Sequence, residues 1–407
     1  MPDDAPNASF GPEPTTQPTV EFGTHPAPAD TRHPGDMIGH YKVLEILGEG
    51  GFGVVYLAEQ TEPVRRRVAL KIIKPGMDSK AIVARFEAER QALAMMSHPN
   101  VAKVLDAGTT PGGRPFFVME HVKGSPITDY CDQHRLTIEQ RLKLFMIVCE
   151  AVQHAHMKGI LHRDLKPSNI LVAEGDHGEA RPVVIDFGIA KALNEPLTDQ
   201  TIFTARGVLI GTLEYMSPEQ ADNTEQDIDT RSDVYALGAI LYQLLTGAVP
   251  FDPKVLRAVG VAAIQKMIRD TEPPRPSTRL STMGEASTAI ATARQTALTD
   301  LASALRRELE WIPLKALRKD RAERYRSASE LADDVANYLH HRPLIAGPEK
   351  TGYKVRKFVR RNKGTVAAAG MIAATLVAAT GVSVWFGVNE ARQRAEAEAQ
   401  RAEAVKQ

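Results

Sequence analysis

Cysteine is close to absent: the 407 residues hold two, Cys131 and Cys149. Neither has a metal-ligand spacing, which argues against a disulfide framework or thiolate metal centre and points to a reducing compartment. Net charge is absent too, with 50 Lys and Arg balancing 50 Asp and Glu. No global basic field draws in nucleic acid, and the chain carries no nucleic-acid motif. An apolar core is missing behind Met1, where acidic and Pro-rich sequence follows, so no secretory signal peptide is expected there. Residues 1–36 also lack periodic apolar positions. They cannot bury enough surface to offset chain entropy, and a disordered Pro-rich segment is expected. The rest, 43% hydrophobic and 25% charged overall, is ordinary for a globular protein. Its length allows about two or three domains.

Texture changes at Tyr41. Residues 41–47 read as a strand, Gly48-Glu49-Gly50-Gly51-Phe52-Gly53 follows, and 54–58 read as a second strand. A dinucleotide-binding fold uses the same glycine spacing but follows it with a helix. Here β-branched and aromatic residues follow, which disfavours that fold. Glycines in a strand-turn-strand let backbone amides approach phosphates with no Cβ in the way. Val68-Ala69-Leu70-Lys71 is a short apolar strand carrying one Lys. After Asp78, a plausible N-cap, apolar residues recur at Ile82, Phe86, Leu93 and Met96, and Glu89 falls on the same stripe. A carboxylate on the inward face of a helix needs a cationic partner, and Lys71 is the candidate. Residues 116–120 form a buried strand. Thr137 and Gln140 make a capping-box start for a helix that stops at Gly159.

The polar loop that comes next holds Asp164, Lys166 and Asn169 within His162-Arg163-Asp164-Leu165-Lys166-Pro167-Ser168-Asn169. Further on, the apolar run 183–185 delivers Asp186-Phe187-Gly188. These residues resemble the catalytic loop and metal-binding turn of eukaryotic-type (Hanks-type) serine/threonine protein kinases of the bacterial membrane-anchored type. The resemblance covers 41 to about 340. It implies an α+β, two-lobed protein kinase fold at 37–341: a small β-rich N-lobe (41–119), a hinge (120–124) and a larger helical C-lobe (125–341).

It also implies ATP and Mg²⁺ as partners of the site. Leu47, Gly48, Glu49, Gly50, Gly51, Phe52 and Gly53 would cover the nucleotide. Val55, Ala69 and Met119 would surround the adenine, and the backbone at Glu120 and Val122 would hydrogen-bond it. Lys71, braced by Glu89, would hold the phosphates. Asn169 and Asp186 would hold the metal, Asp164 would receive or orient the substrate hydroxyl proton, and Lys166 would neutralise the γ-phosphate. Lys166 with Thr212 fits the Ser/Thr branch. A catalytically silent scaffold of the same fold is the alternative, and the complete set of Lys71, Asp164 and Asp186 disfavours it.

Beyond Asp186 a Thr-rich stretch leads to Ser217-Pro218-Glu219, fitting an activation segment with candidate phosphosites Thr198, Thr201 and Thr204. The family usually has Ala where Ser217 stands. Arg163 beside the catalytic carboxylate suggests that a phosphate there would regulate activity. Glu219 would pair with Arg324, and Asp233 would anchor the catalytic-loop backbone. Residues 271–303, rich in Ser, Thr, Ala and Pro, read as an exposed insertion. A basic juxtamembrane segment (342–364) then precedes 365–388, which contains no charge. At about 1.5 Å per residue that run spans roughly 36 Å, enough for one transmembrane helix across a core of about 30 Å. Residues 389–407 read as a charged helix. The positive-inside rule places the kinase domain in the cytoplasm at the cell membrane, as a single-pass protein. Gly370 and Ala374 hint at a homodimer through that helix.

Overall fold

A computed structural model describes residues 32–50, 53–73, 96–175, 178–187, 213–222, 228–258, 260–348 and 350–404. The N-terminal tail to residue 31, Gly51, Phe52, the helix expected after Asp78 with Glu89, and the stretch with Gly188, Thr198, Thr201, Thr204 and Thr212 lie outside these residues.

Alternating apolar residues build the first layer. Strands β1 (Met37–Ile38), β2 (Tyr41–Glu49), β3 (Gly53–Gln60), β4 (Arg66–Ile73), β5 (Val104–Thr109) and β6 (Pro115–Glu120) form one antiparallel sheet, in the order β1-β2-β3-β4-β6-β5. Tyr41, Val43, Tyr56, Val68, Leu70 and Val118 close its core. Register places Val55 opposite Lys71, and Ala69 opposite both Leu57 and Met119. Gly53 lets β3 lie against β4, because a Cβ there would sit 2.3 Å from the Ile72 carbonyl oxygen. Edge strand β5 has little alternation, so its sequence pattern does not announce it.

The second lobe is helical. Helix α1 (Ile138–Met157) starts at the Thr137–Gln140 capping box, where the Gln140 side chain accepts the Thr137 N–H at 2.9 Å. It ends where Gly159 takes φ +75°, the left-handed value that favours glycine. Helix α2 (Thr230–Thr246) is apolar on nearly every side and is buried accordingly. A three-stranded sheet, β7 (Gly124–Pro126), β8 (Ile170–Glu174) and β9 (Ala180–Val184), packs on α1 through β9 and carries the polar loops.

The stretch 271–303 is not an exposed insertion. It folds into helices Pro276–Ser281, Glu285–Ala293 and Leu298–Ala304, with Leu280, Ala291 and Leu301 buried. Its anchor is Arg294, 1% exposed, whose guanidinium donates to the Leu244 carbonyl at 2.8 and 3.1 Å, near the C-terminal end of α2. Burial lowers the Arg294 pKa to about 10. Ser, Thr and Ala bury without a strong apolar signal, so composition hid the packing.

Helix α3 (Ala328–Leu339) packs on α1. Two more helices follow, α4 (Thr351–Arg361) and α5 (Lys363–Ala404). Within α5, Lys363–Gln400 holds an apolar stretch long enough to cross a membrane, and no residue of that stretch is buried against the protein.

Candidate active site

The catalytic loop emerges from α1 and is clamped from below by α2. Buried Asp233 accepts the His162 and Arg163 N–H groups at 2.8 Å each and pairs with His156 Nε2 at 2.8 Å. Burial alone would raise the Asp233 pKa. The hydrogen bond and charge of His156, with His162 beside it, outweigh that and hold it below the usual carboxylate range. Burial also depresses the His162 pKa, which favours the neutral ring. Its two nitrogens then divide the work. Nδ1 accepts the Asp164 N–H at 3.3 Å, and Nε2 donates to the Ile185 carbonyl at 3.1 Å. That second bond ties the loop to the turn bearing Asp186.

Arg163 (φ +61°) and Asp186 (φ +57°) both adopt the left-handed region. For non-glycine residues this costs about 1–3 kcal/mol each and persists only where surroundings enforce it. Asp233 enforces it at Arg163. At Asp186 the neighbouring Phe187 is buried against the His162 ring, 4.7 Å between centroids.

These constraints bring the charged groups together. Lys71 on β4, 6% exposed, donates to Asp186 Oδ1 across the two lobes. Lys166 Nζ meets Asp164 Oδ2 at 2.7 Å. Asn169 Nδ2 donates to the Asp164 carbonyl at 2.8 Å, and the Asn169 carbonyl accepts the Ile185 N–H at 2.9 Å. Lys71 thus meets Asp186, Asn169 and Lys166 meet Asp164, and the Ile185–Asn169 backbone bond joins the two sets one residue before Asp186. At Gly48 and Gly50 a Cβ would meet no described residue within 4 Å. At the hinge Met119 is buried, and the Glu120 N–H is spent on the Lys103 carbonyl at 2.9 Å.

The remaining singled-out residues form a second cluster. Arg324 grips Glu219 bidentately, Nη1 to Oε1 at 2.7 Å and Nη2 to Oε2 at 2.8 Å. Ser217 acts locally, where its hydroxyl caps the short helix Pro218–Ala221 by accepting the Gln220 N–H. Gln220 in turn donates from Nε2 to the Arg163 carbonyl at 2.8 Å, joining that helix to the catalytic loop.

The family model described as "Protein kinase domain" matches residues 41–334. The chain belongs to the protein kinase family. Among curated kinases, the serine/threonine-protein kinase pkn3 of Myxococcus xanthus is 39% identical over 247 residues, 59% of this chain and 44% of the relative. The serine/threonine-protein kinase PknB of Mycobacterium leprae is 32% identical over 307 residues, 74% and 43% respectively. The chain spans less than half the length of the curated relatives it matches. The fold is that of solved kinase domains such as PknI of Mycobacterium tuberculosis, with a TM-score of 0.52 at 24% identity, covering 76% of this chain and 100% of that domain.

Sequence reasoning gave no role to four residues that hold this kinase site together: His156, His162 (quoted only as part of the loop motif), Gln220, and Ser232, whose hydroxyl donates to Glu219 Oε1 at 2.6 Å. His156 lies in the last turn of α1 and resembles a solvated helix end. Only its distance of 77 positions from Asp233, closed by folding, reveals its role.

Proposed function

We propose that this chain is a serine/threonine protein kinase, transferring the γ-phosphate of ATP to Ser or Thr hydroxyls of protein substrates. The contact between Lys71 of one lobe and Asp186 of the other, joined through Asn169 to the Asp164–Lys166 pair, carries the reading.

Phosphoryl transfer asks for in-line positioning and cancellation of phosphate charge more than for covalent help. Leu47, Val55, Ala69 and Met119 would enclose the base, with Glu120 and Val122 on its polar edge. Gly48, Glu49, Gly50, Gly51, Phe52 and Gly53 would lie over the phosphates. Lys71, braced by Glu89, would bind the α- and β-phosphates, and Lys166 would offset the γ-phosphate. Asp164 would orient the substrate hydroxyl and receive its proton.

Asp186 and Asn169 supply a carboxylate and an amide, whose hard oxygens suit Mg²⁺. That ion takes one or two protein ligands beside phosphate oxygens and water rather than a dedicated cage. Among the described residues no group of three His, Cys, Asp or Glu forms such a cage. Bound there, the metal would neutralise charge developing on the phosphates.

We read 37–341 as the kinase domain, with N-lobe 41–119, hinge 120–124 and C-lobe 125–341. The segment 342–364 is basic and juxtamembrane, 365–388 is a transmembrane span, and 389–407 is a charged helix on its far side. The kinase domain then faces the cytoplasm, and Gly370 with Ala374 offers a homodimer contact. Phosphate at Thr198, Thr201 or Thr204 would activate the enzyme by answering Arg163.

Incubation of the full chain with γ-labelled ATP, Mg²⁺ and a mixed protein substrate tests the reading. Phosphoserine and phosphothreonine are the expected products. Predominant phosphotyrosine would remove the Ser/Thr assignment, and full activity in a variant with all three threonines changed to Ala would remove the activation step.

A further inference from the structure

Helix α4 has two opposed faces. Tyr353 and Lys357, one turn apart, face the C-lobe. The Tyr353 ring is buried edge-on to Trp311, 5.8 Å between centroids, and its hydroxyl accepts the Leu344 N–H at 3.2 Å. Lys357, 4% exposed, places its ammonium against Glu308, itself buried in the π-helical turn Leu305–Leu309. Half of such a buried pair alone is costly, so the pair holds the helix in one seating.

At 3.6 residues per turn, Val355, Phe358 and Val359 fall on the opposite side. They are 54%, 53% and 40% exposed. Lys354 and Arg361 flank this apolar strip along one margin and Arg356 along the other, all three solvent-exposed, Arg356 with one guanidinium nitrogen 3.8 Å from Glu308. An apolar strip with cations on both margins is the profile of a helix lying in a membrane interface. Continuity points the same way. Only Asn362, at φ −112° and ψ 42°, separates α4 from the bilayer-length helix α5.

We propose that the outer face of α4 is a lipid-binding surface that seats on anionic phospholipid and holds the kinase domain flush against the membrane. The inference rests on reading α5 as a membrane span. A second copy of the chain is the rival occupant. Charge disfavours it, because two such strips face to face would set Lys354 and Arg361 against their own kind.

Cys131 and Cys149 are buried, so a cysteine introduced by Val355→Cys accepts a nitroxide label selectively. The full chain is reconstituted in phosphatidylcholine vesicles with and without phosphatidylglycerol, and collisions with oxygen and with an aqueous nickel chelate are compared. A parallel label at Val377→Cys reports the span. The expected result is oxygen-dominated relaxation at both sites with phosphatidylglycerol present. Changing Lys354 and Arg361 to Gln should lower the ratio of seated to free label at 355 about 25-fold, roughly 5-fold for each charge. Nickel-dominated relaxation at 355 with 377 still lipid-buried would overturn the proposal and leave the span intact. Nickel-dominated relaxation at 377 would remove the span, and this proposal with it. Dipolar broadening between labels at 355 would assign the face to a second copy and overturn the lipid seat.

Discussion

Asp164→Asn should lower the rate of phosphoryl transfer by about 10²–10⁴-fold while leaving Mg-ATP affinity within a few-fold of the native value. The split follows from what the side chain touches. Its carboxylate meets Lys166 at 2.7 Å and lies beside the Asn169 amide. Neither the hinge nor β4 is among those contacts. The substitution keeps the shape and the hydrogen bond to the loop but removes the acceptor for a hydroxyl proton. Single-turnover transfer to a Ser/Thr peptide, with nucleotide binding measured in parallel, checks it. A variant that transfers phosphate at close to the native rate would remove Asp164 from the chemistry. Loss of binding equal to loss of rate would make it a structural residue instead.

Arg324→Ala should destabilise the C-lobe by about 3–5 kcal/mol, the usual cost of leaving half of a buried ion pair. For a domain of this size that lowers the melting temperature on the order of 10 °C. The guanidinium serves more than Glu219. Its Nε donates to the Arg318 carbonyl at 2.7 Å, Nη1 to the Arg231 carbonyl and Nη2 to the Lys319 carbonyl, each at 3.0 Å. Truncation orphans all of these together with the Glu219 carboxylate.

Acid should expose the same pair. Burial pushes the Glu219 pKa up, but the Arg324 hydrogen bonds and charge, with the Ser232 hydroxyl, outweigh it and hold the pKa below the usual carboxylate range. A carboxylate with a depressed folded-state pKa contributes fully above its unfolded value, about 4.3, and loses the contribution as pH falls through the folded value. Native protein should therefore lose stability below about pH 4.3 more steeply than Arg324→Ala. Thermal melts across that range decide it. Parallel curves would show that the pair contributes nothing to folding.

Much of the site is legible in the chain because its chemistry is concentrated in short loops. Asp164, Lys166 and Asn169 lie within six positions, and the apolar run before Asp186 marks the strand that delivers it. Glycine punctuation is equally direct: Gly159 and Gly247 each follow a helix and take positive φ. Contacts between distant segments are not legible this way. Spacing cannot show that Lys71 meets Asp186 across 115 positions, nor that Gln220 reaches the Arg163 carbonyl. Arg294 was hidden for another reason. A buried Arg in a Ser/Thr-rich stretch looks solvated until its acceptor, the Leu244 carbonyl near the end of α2, is in view.

Convergence of Lys71 and Asp186 on one nucleotide is tested most directly by a double-mutant cycle on Mg-ATP binding, with Lys71→Met, Asp186→Asn and the pair measured by calorimetry. Groups in contact at one site should couple by about 0.5–3 kcal/mol, so the double variant binds appreciably better than the summed single losses require. Strictly additive losses, or native affinity in either single variant, would mean that the two side chains do not share a nucleotide.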